Sequence, residues 1–152
     1  MTDEDIDADI RAAREQYLNK PFDESTFQID PEVTIGFARF CGETAPRFLD
    51  RNHPDFQAPP TFVASLSGRR ALPKGYPMFG IPMDAGKGIE CLAPLRPPVR
   101  LVGRAHIHDI FAKSGRSGRM VFTVARLEFY TEDGTHVANA DSRTVMRERS
   151  AS

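Results

Sequence analysis

The sequence has no long apolar run, almost no net charge and few cysteines, and each absence excludes a class of protein. Its 152 residues carry a formal net charge of −1, which disfavours a nucleic-acid-binding protein or a polybasic membrane anchor. No apolar stretch approaches the roughly 18 residues that a transmembrane helix needs. The first residues are acidic, whereas a targeting peptide would be basic. We therefore expect a cytoplasmic, single-domain protein whose partners are small molecules or proteins.

Cys41 and Cys91 are the only cysteines. They lack the spacing of a metal site, and a cytoplasmic setting argues against a disulfide. We expect two free thiols that are buried in the core. His106 and His108 alternate along a predicted strand and share one face, but no third ligand accompanies them. The sequence therefore predicts neither a metal centre nor a bound cofactor.

Two helices are predicted in the first third of the chain. In residues 5–19, apolar side chains recur at three- and four-residue steps, which places them on one helical face. For the second helix, residues 31–41, Asp30 provides the cap, Pro31 fits the first turn and Gly42 provides the stop. The predicted buried face of this second helix consists of Val33, Phe37, Phe40 and Cys41.

A short extended piece, residues 27–29, connects the two helices, and a long irregular segment, residues 43–88, follows the second. This segment is rich in proline and glycine. Only residues 61–67 within it are apolar enough to form a short helix or strand. A long loop inside a compact domain is usually functional, so this segment is expected to contribute to a binding site.

The last part of the chain predicts an antiparallel meander. Four runs are rich in β-branched and aromatic residues and are separated by turn signals: residues 89–95, 99–113, 120–131 and 136–147. The third run alternates so that one face is apolar, and this face consists of Val121, Thr123, Ala125, Leu127 and Phe129. A sheet with one apolar face needs a cover, for which the helix at 31–41 is the best candidate. The predicted fold class is therefore α+β.

Several short motifs resemble those of the MaoC-like dehydratase family, and in particular of its amino-terminal dehydratase type. The motifs are GETAP at 42–46, APPTF at 58–62, PLRPP at 94–98 and the turn and strand over 115–138. The resemblance implies a hot-dog fold, in which an antiparallel sheet wraps around a central helix. Here an extra amino-terminal helix would precede it, which divides the chain into an extension at 1–20, a hot-dog domain at 21–148 and a tail at 149–152.

Catalytic members of this family carry an aspartate and a histidine in the loop after the central helix. Together these two side chains hold and activate the water that adds to a trans-2-enoyl thioester. In this sequence Gly42 and Pro46 keep the loop's glycine and proline, and Ala45 stands at an asparagine. Glu43 stands at the aspartate and Phe48 at the histidine. The resemblance therefore implies a member that lacks the catalytic pair.

Three functions remain open at this point. The first is the non-catalytic, substrate-binding subunit of a heteromeric (R)-specific 2-enoyl-CoA hydratase or 3-hydroxyacyl-thioester dehydratase. It would work with a catalytic MaoC-like subunit, in a heterodimer or heterotetramer, on fatty acyl chains or a steroid side chain. The second is a self-sufficient homo-oligomeric hydratase that uses Glu43, helped by His53. The third is a non-enzymatic module that binds an acyl thioester.

Two groups of binding residues follow from this resemblance. Apolar residues between the loop and the first strand are expected to line the acyl pocket: Pro59, Pro60, Thr61, Phe62, Tyr76 and Phe79. Basic residues around them are expected to meet the phosphates of coenzyme A or of an acyl carrier protein: Arg69, Arg70, Lys74 and Arg96. The acyl thioester is expected as a substrate rather than as a resident cofactor.

Overall fold

A five-stranded antiparallel sheet forms the centre of the computed structural model, which describes residues 8–148. The sheet order is β1-β3-β4-β5-β2, so β1 and β2 are its edges. The strands are β1 (Pro21–Ile29), β2 (Ile81–Cys91), β3 (Val99–Gly115), β4 (Gly118–Thr131) and β5 (His136–Arg147). The helices are α1 (Ala8–Tyr17), α2 (Pro31–Phe40), the short α3 (Pro46–Leu49) and a 3₁₀ helix (Pro60–Ser65). The predicted α+β class is confirmed.

The alternation along β4 sets which face of the sheet is buried. Val121 and Phe129 are fully buried on one face, which we call the inner face. Arg126 and Glu128 lie on the opposite, outer face. Residues that lie opposite each other in a strand pair share a face of the sheet. In β5, Met146 lies opposite Val121 and Ala138 lies opposite Phe129, so both are on the inner face. The predicted apolar face of this strand is confirmed.

Two separate hydrophobic clusters cover the inner face. The first packs the 3₁₀ helix against one end of the sheet, and its buried members include Ile29, Phe62, Leu101 and Phe129. The second packs α1 and the 72–79 segment against the other end, and its buried members include Ile10, Tyr76, Ile107 and Met146. Because the clusters do not merge, the middle of the inner face is left less densely filled.

Both edge strands are longer than the sequence predicted. β1 covers nine residues instead of 27–29, and β2 begins at Ile81, inside the predicted loop. Pro82 and two glycines within β2 are residues typical of a loop, so the sequence predicted a loop there. An edge strand tolerates such residues, because one of its sides has no hydrogen-bond partner. A register shift between Asp84 and Lys87 adds a further irregularity. For the first helix, residues 5–7 of the predicted range lie outside the described residues.

The predicted buried face of α2 is wrong except for Phe37, whose ring packs against Phe62 in the first cluster. Val33 and Phe40 are 56% and 92% exposed, whereas Thr34 and Ala38 are fully buried. The helix carries two overlapping apolar stripes, and the one with smaller side chains faces inward. The Thr34 hydroxyl donates to the carbonyl of Pro31 at 3.1 Å, which satisfies it inside the protein. The cysteine prediction is half right, since both thiols are free but exposed.

No helix among residues 8–148 is long and apolar enough to cross a membrane.

Arg119 joins the two ends of the described chain. Its guanidinium donates to both carboxylate oxygens of Asp9, at 2.9 and 2.7 Å, and to Glu148, at 3.0 and 2.6 Å. The side chain is only 9% exposed, and the hydrogen bond to Asp9 is the main cause that raises the pKa of Arg119. These bonds hold the start of α1 against β4.

We expect Arg119→Ala to lower the free energy of unfolding by about 1–3 kcal/mol, because two carboxylates lose charge-assisted hydrogen bonds. Urea denaturation measures this difference. Arg116→Ala, in the exposed turn between β3 and β4, is the control and should change the value by less than about 0.5 kcal/mol. Equal effects of the two substitutions would contradict the structural role of Arg119.

Candidate functional site

The loop after α2 is held in shape by its own backbone. The backbone N–H groups of Cys41, Gly42 and Glu43 donate to carbonyls in the last turns of α2 at 2.9–3.0 Å. Gly42 has φ of 77°, in the left-handed region that favours glycine at a helix end. The helix stop that the sequence predicted is therefore formed, and it directs the chain towards α3.

Phe48 is buried within this loop, with 5% of its surface exposed. The guanidinium carbon of Arg47 lies 4.7 Å from the centre of the Phe48 ring. A phenyl ring has no proton to transfer and no lone pair. Glu43 is half-buried, and its carboxylate makes no hydrogen bond or ion pair with residues 8–148. The loop thus presents one carboxylate and one packed aromatic ring.

His53 takes part in a turn next to the loop. Its Nδ1 accepts the backbone N–H of Asp55 at 3.0 Å. The Asp55 carboxylate accepts a 2.8 Å hydrogen bond from Arg96, which is the main cause that lowers the pKa of Asp55. Arg96 also donates to the carbonyl of Phe56 at 3.3 Å. These bonds give His53 and Arg96 roles in fixing the turn.

A cavity of about 150 Å³ crosses the inner face between the two hydrophobic clusters. Its floor includes one alanine from each of the three central strands: Ala105, Ala125 and Ala140. Ala105 and Ala140 lie opposite Leu127, and Ala125 lies opposite Ser142. Ser142 and Leu127 complete this floor. Interiors are normally packed without voids larger than a water molecule, so a gap of this size in the middle of the sheet is a candidate binding site.

The cavity adjoins an open cleft at each edge of the sheet. We call the cleft at β1 the arginine cleft, since Arg69, Arg70 and Arg104 lie in its walls, and its volume is about 660 Å³. It shares Phe22 and Arg70 with the cavity. The cleft at β2 has a volume of about 300 Å³ and shares Lys87 and Ser142 with the cavity. A ligand in the cavity can therefore extend towards both edges.

A single carboxylate fastens the roof of the cavity, which is the segment from Leu66 to Ala71. Asp23 is only 5% exposed, and it accepts the backbone N–H groups of Arg69 and Arg70 at 2.9 and 3.2 Å. A Cβ on Gly68 would lie 3.0 Å from the same carboxylate, so the close approach requires a small residue. A register shift in β1 between Pro21 and Asp23 leaves Phe22 in the cavity wall.

We expect Asp23→Ala to increase the hydrogen-exchange rates of the Arg69 and Arg70 amides by about tenfold or more. The substitution removes the acceptor of both N–H groups, and a bond to a charged acceptor is worth about 1.5–3 kcal/mol. Exchange followed by NMR measures these rates. Ser25→Ala removes the hydroxyl that donates to Asp23 at 3.3 Å and accepts the Arg69 N–H at 3.3 Å, so its effect should be smaller and confined to the Arg69 amide. Unchanged amide exchange in Asp23→Ala would show that other contacts hold the roof.

The sequence model of a FAS1-like dehydratase domain region matches residues 19–140. The chain belongs to this dehydratase family. The match covers β1 to β4, the first part of β5, α2, the Glu43 loop and the three alanines of the cavity floor. Among curated proteins, no sequence matches this dehydratase-family chain.

Solved structures of MaoC-like dehydratases share its fold. A MaoC-like dehydratase from Phytophthora capsici superposes with a TM-score of 0.67 and 22% identity, over 91% of this chain and 50% of that one. The family chain thus spans half the length of that protein. A chain of the ChsH1–ChsH2 complex from Mycobacterium tuberculosis superposes with a TM-score of 0.67 and 19% identity, over 95% of this chain and 94% of that one. A chain of the HadBC (3R)-hydroxyacyl-ACP dehydratase complex from the same organism superposes with a TM-score of 0.61 and 22% identity, over 80% of this chain and 90% of that one. The predicted hot-dog fold is confirmed.

The predicted acyl-binding residues of this dehydratase-family member lie in different places. Pro59 and Pro60 line a small hollow of about 120 Å³ beside Cys91. Phe62 is buried in the first cluster. Tyr76 is buried in the second and hydrogen-bonds the Thr123 hydroxyl at 2.7 Å, with the Phe79 ring packed against it. Thr61 is exposed. None of the six lines the inner-face cavity, so their acyl-binding role stays a prediction.

The predicted carrier-binding residues also separate. Arg69 and Arg70 lie together in the arginine cleft, whereas Arg96 is paired in the His53 turn and Lys74 is exposed in the 72–79 segment. The carrier-binding role of the four residues stays a prediction.

Sequence reasoning missed the cavity floor, Phe22, Asp23 and Arg104. The available signal was an alanine on each of three predicted strands: Ala105, Ala125 and Ala140.

The outer face carries a polar network that includes both predicted strand histidines. His106 Nε2 lies 3.3 Å from His108 Nδ1, and His106 Nδ1 lies 3.1 Å from Glu128. Burial is the main cause that lowers the pKa of His106. Tyr130 donates to the other oxygen of Glu128 at 2.5 Å. Within residues 8–148, no group of three or more His, Cys, Asp or Glu could hold a metal ion.

Proposed function

We propose that this chain is the substrate-binding subunit of a heteromeric (R)-specific 2-enoyl-CoA hydratase or 3-hydroxyacyl-thioester dehydratase. Its substrates would be bulky or long acyl thioesters, such as fatty acyl groups or a steroid side chain. Membership of the dehydratase family supports the reaction class. The observation that carries the proposal is the cavity across the inner face, combined with a loop in which Glu43 and buried Phe48 replace the family's aspartate and histidine.

The chemistry of the loop supports a non-catalytic role. Hydration needs one group that positions and deprotonates a water and one that gives a proton to the neighbouring carbon. Phe48 can do neither. Glu43 has a carboxylate, but its extra methylene displaces it by about 1.5 Å relative to an aspartate, and such a misplacement alone costs on the order of 100-fold. The catalytic pair would therefore come from the partner subunit.

The β2 edge is the proposed surface for that partner. Ile81, Met83 and Ile89 on this strand are 37–51% exposed, and Leu92 just beyond it is 47% exposed. The β1 edge instead exposes Glu24, Thr26 and Gln28. An apolar edge strand with unpaired backbone groups is suited to pair with another sheet. The solved ChsH1–ChsH2 and HadBC structures are complexes of two chains by name, which supports a heteromer here.

The self-sufficient hydratase remains a second candidate, because the Glu43 carboxylate is half-buried without a partner among the described residues. The test that separates the two is the hydration rate of a trans-2-enoyl-CoA. It is measured for the purified chain, for a MaoC-like protein that carries the aspartate and the histidine, and for their mixture. Robust turnover by this chain alone would contradict the proposed function.

A further inference from the structure

Positive charge is in surplus at the mouth of the cavity. Of the two carboxylates in the arginine cleft, Asp23 accepts the roof amides and lies 3.4 Å from the Arg69 guanidinium, and Glu24 lies 3.5 Å from Arg104 Nε. Arg69 donates to the carbonyl of Glu24 at 3.0 Å. The Arg70 side chain makes no hydrogen bond or ion pair with residues 8–148, and it lines both the cavity and the cleft. Arg70 is therefore a cation available to a ligand that occupies the cavity.

The arginine cleft lies at the opposite edge of the sheet from the proposed partner surface. Four inter-strand spacings separate β1 from β2, which corresponds to about 19 Å. If the partner's catalytic groups act at the β2 edge, the thioester lies there and the acyl chain runs across the alanine floor. The group that reaches Arg70 is then the end of the acyl chain farthest from the thioester.

We propose that the arginine cleft binds a carboxylate at the far end of the acyl chain, so that the substrate class is an acyl thioester with a second, remote carboxylate. This inference rests on the proposed function. A guanidinium matches a carboxylate through two parallel N–H···O bonds, and Arg70 is the arginine of the cleft that has no carboxylate partner among residues 8–148, whereas Arg69 is paired with Asp23 and Arg104 with Glu24. A chain that ends in a methyl group would fill the same floor but leave Arg70 without an anion.

Two probes of equal chain length test the inference: palmitoyl-CoA and the coenzyme A monothioester of hexadecanedioic acid. Their affinities for the full chain are measured by isothermal titration calorimetry below their micelle concentrations. We expect the carboxylate-ended probe to bind about tenfold or more tightly than palmitoyl-CoA, because it gains at least one charge-assisted hydrogen bond. Arg70→Gln should remove this preference by weakening the carboxylate-ended probe about tenfold or more, with a smaller effect on palmitoyl-CoA. Arg116→Gln, in the exposed β3–β4 turn, should leave both affinities unchanged.

A third probe, coenzyme A itself, separates the remote carboxylate from the carrier phosphates. If coenzyme A binds and Arg70→Gln weakens it as much as either thioester, Arg70 recognises the carrier and the inference is overturned. If the two thioesters bind equally and Arg70→Gln changes neither, the inference fails while the cavity remains an acyl site. If no probe binds at all, the proposed function fails and the inference fails with it.

Discussion

The purified chain should hydrate no enoyl-CoA, whereas an equimolar mixture with a catalytic MaoC-like partner should turn over. Acid–base catalysis by a positioned side chain contributes about 10²–10⁴-fold to a rate, and Phe48 removes one of the two groups that it requires. The partner would supply both groups at the β2 edge, where Met83 and Ile89 are exposed. The measurement is the loss of absorbance of the conjugated enoyl thioester, with a long and a short acyl chain.

Two variants of this mixture distinguish the candidate functions. Replacing the partner's catalytic histidine should abolish turnover, because Phe48 stands at the corresponding position in this chain and cannot transfer a proton. Glu43→Gln, which keeps the size of the side chain but removes its charge, should leave the rate of the mixture unchanged. A rate that disappears with Glu43→Gln would instead favour the self-sufficient hydratase.

Ala125→Phe should weaken the binding of a long-chain acyl thioester by about 100-fold. Ala125 lies in the middle of the cavity floor, so an aromatic ring at this position would occupy the space of the acyl chain. Excluding about four methylenes, at about 0.8 kcal/mol each, costs about 3 kcal/mol, which corresponds to this change in affinity. Titration calorimetry of palmitoyl-CoA measures it.

The matched control is a short ligand. Crotonyl-CoA does not reach across the sheet, so its affinity should be the same in the native chain and in Ala125→Phe. A thermal melt checks that the variant is folded, since overfilling a core costs about 1–3 kcal/mol. If the folded variant binds palmitoyl-CoA as well as the native chain, the acyl group lies elsewhere, for example in the hollow beside Pro59 and Pro60.

Much of the fold could be predicted from local patterns. The strands β3, β4 and β5 were recognised from runs of β-branched and aromatic residues, since alternation of side chains is a property of each strand itself. The first part of β2, residues 81–88, was missed because Pro82 and two glycines resemble a loop, and this part of the strand is paired with β5 in the fold. The orientation of α2 was also missed. Its two apolar stripes are similar in sequence, and the contacts of Thr34 and Ala38 determine which one faces inward.

The candidate site divides in the same way. The loop with Glu43 and Phe48 was found from its motif, and the absence of the family's catalytic aspartate and histidine from it stays a prediction. The cavity was not found, because Ala105, Ala125 and Ala140 lie far apart in the chain and come together only through the registers of two strand pairs, β3 with β4 and β4 with β5.

The sequence by itself determined the dehydratase family, the α+β class and the chemical character of the loop after α2, because motifs and side-chain types are local. The tertiary structure alone decided that two clusters cover the inner face without meeting. It also decided that Asp23 fastens a roof over the gap and that Arg70 stands at its mouth. These features depend on residues that only the paired strands bring together, so the geometry of binding follows from packing rather than from sequence order.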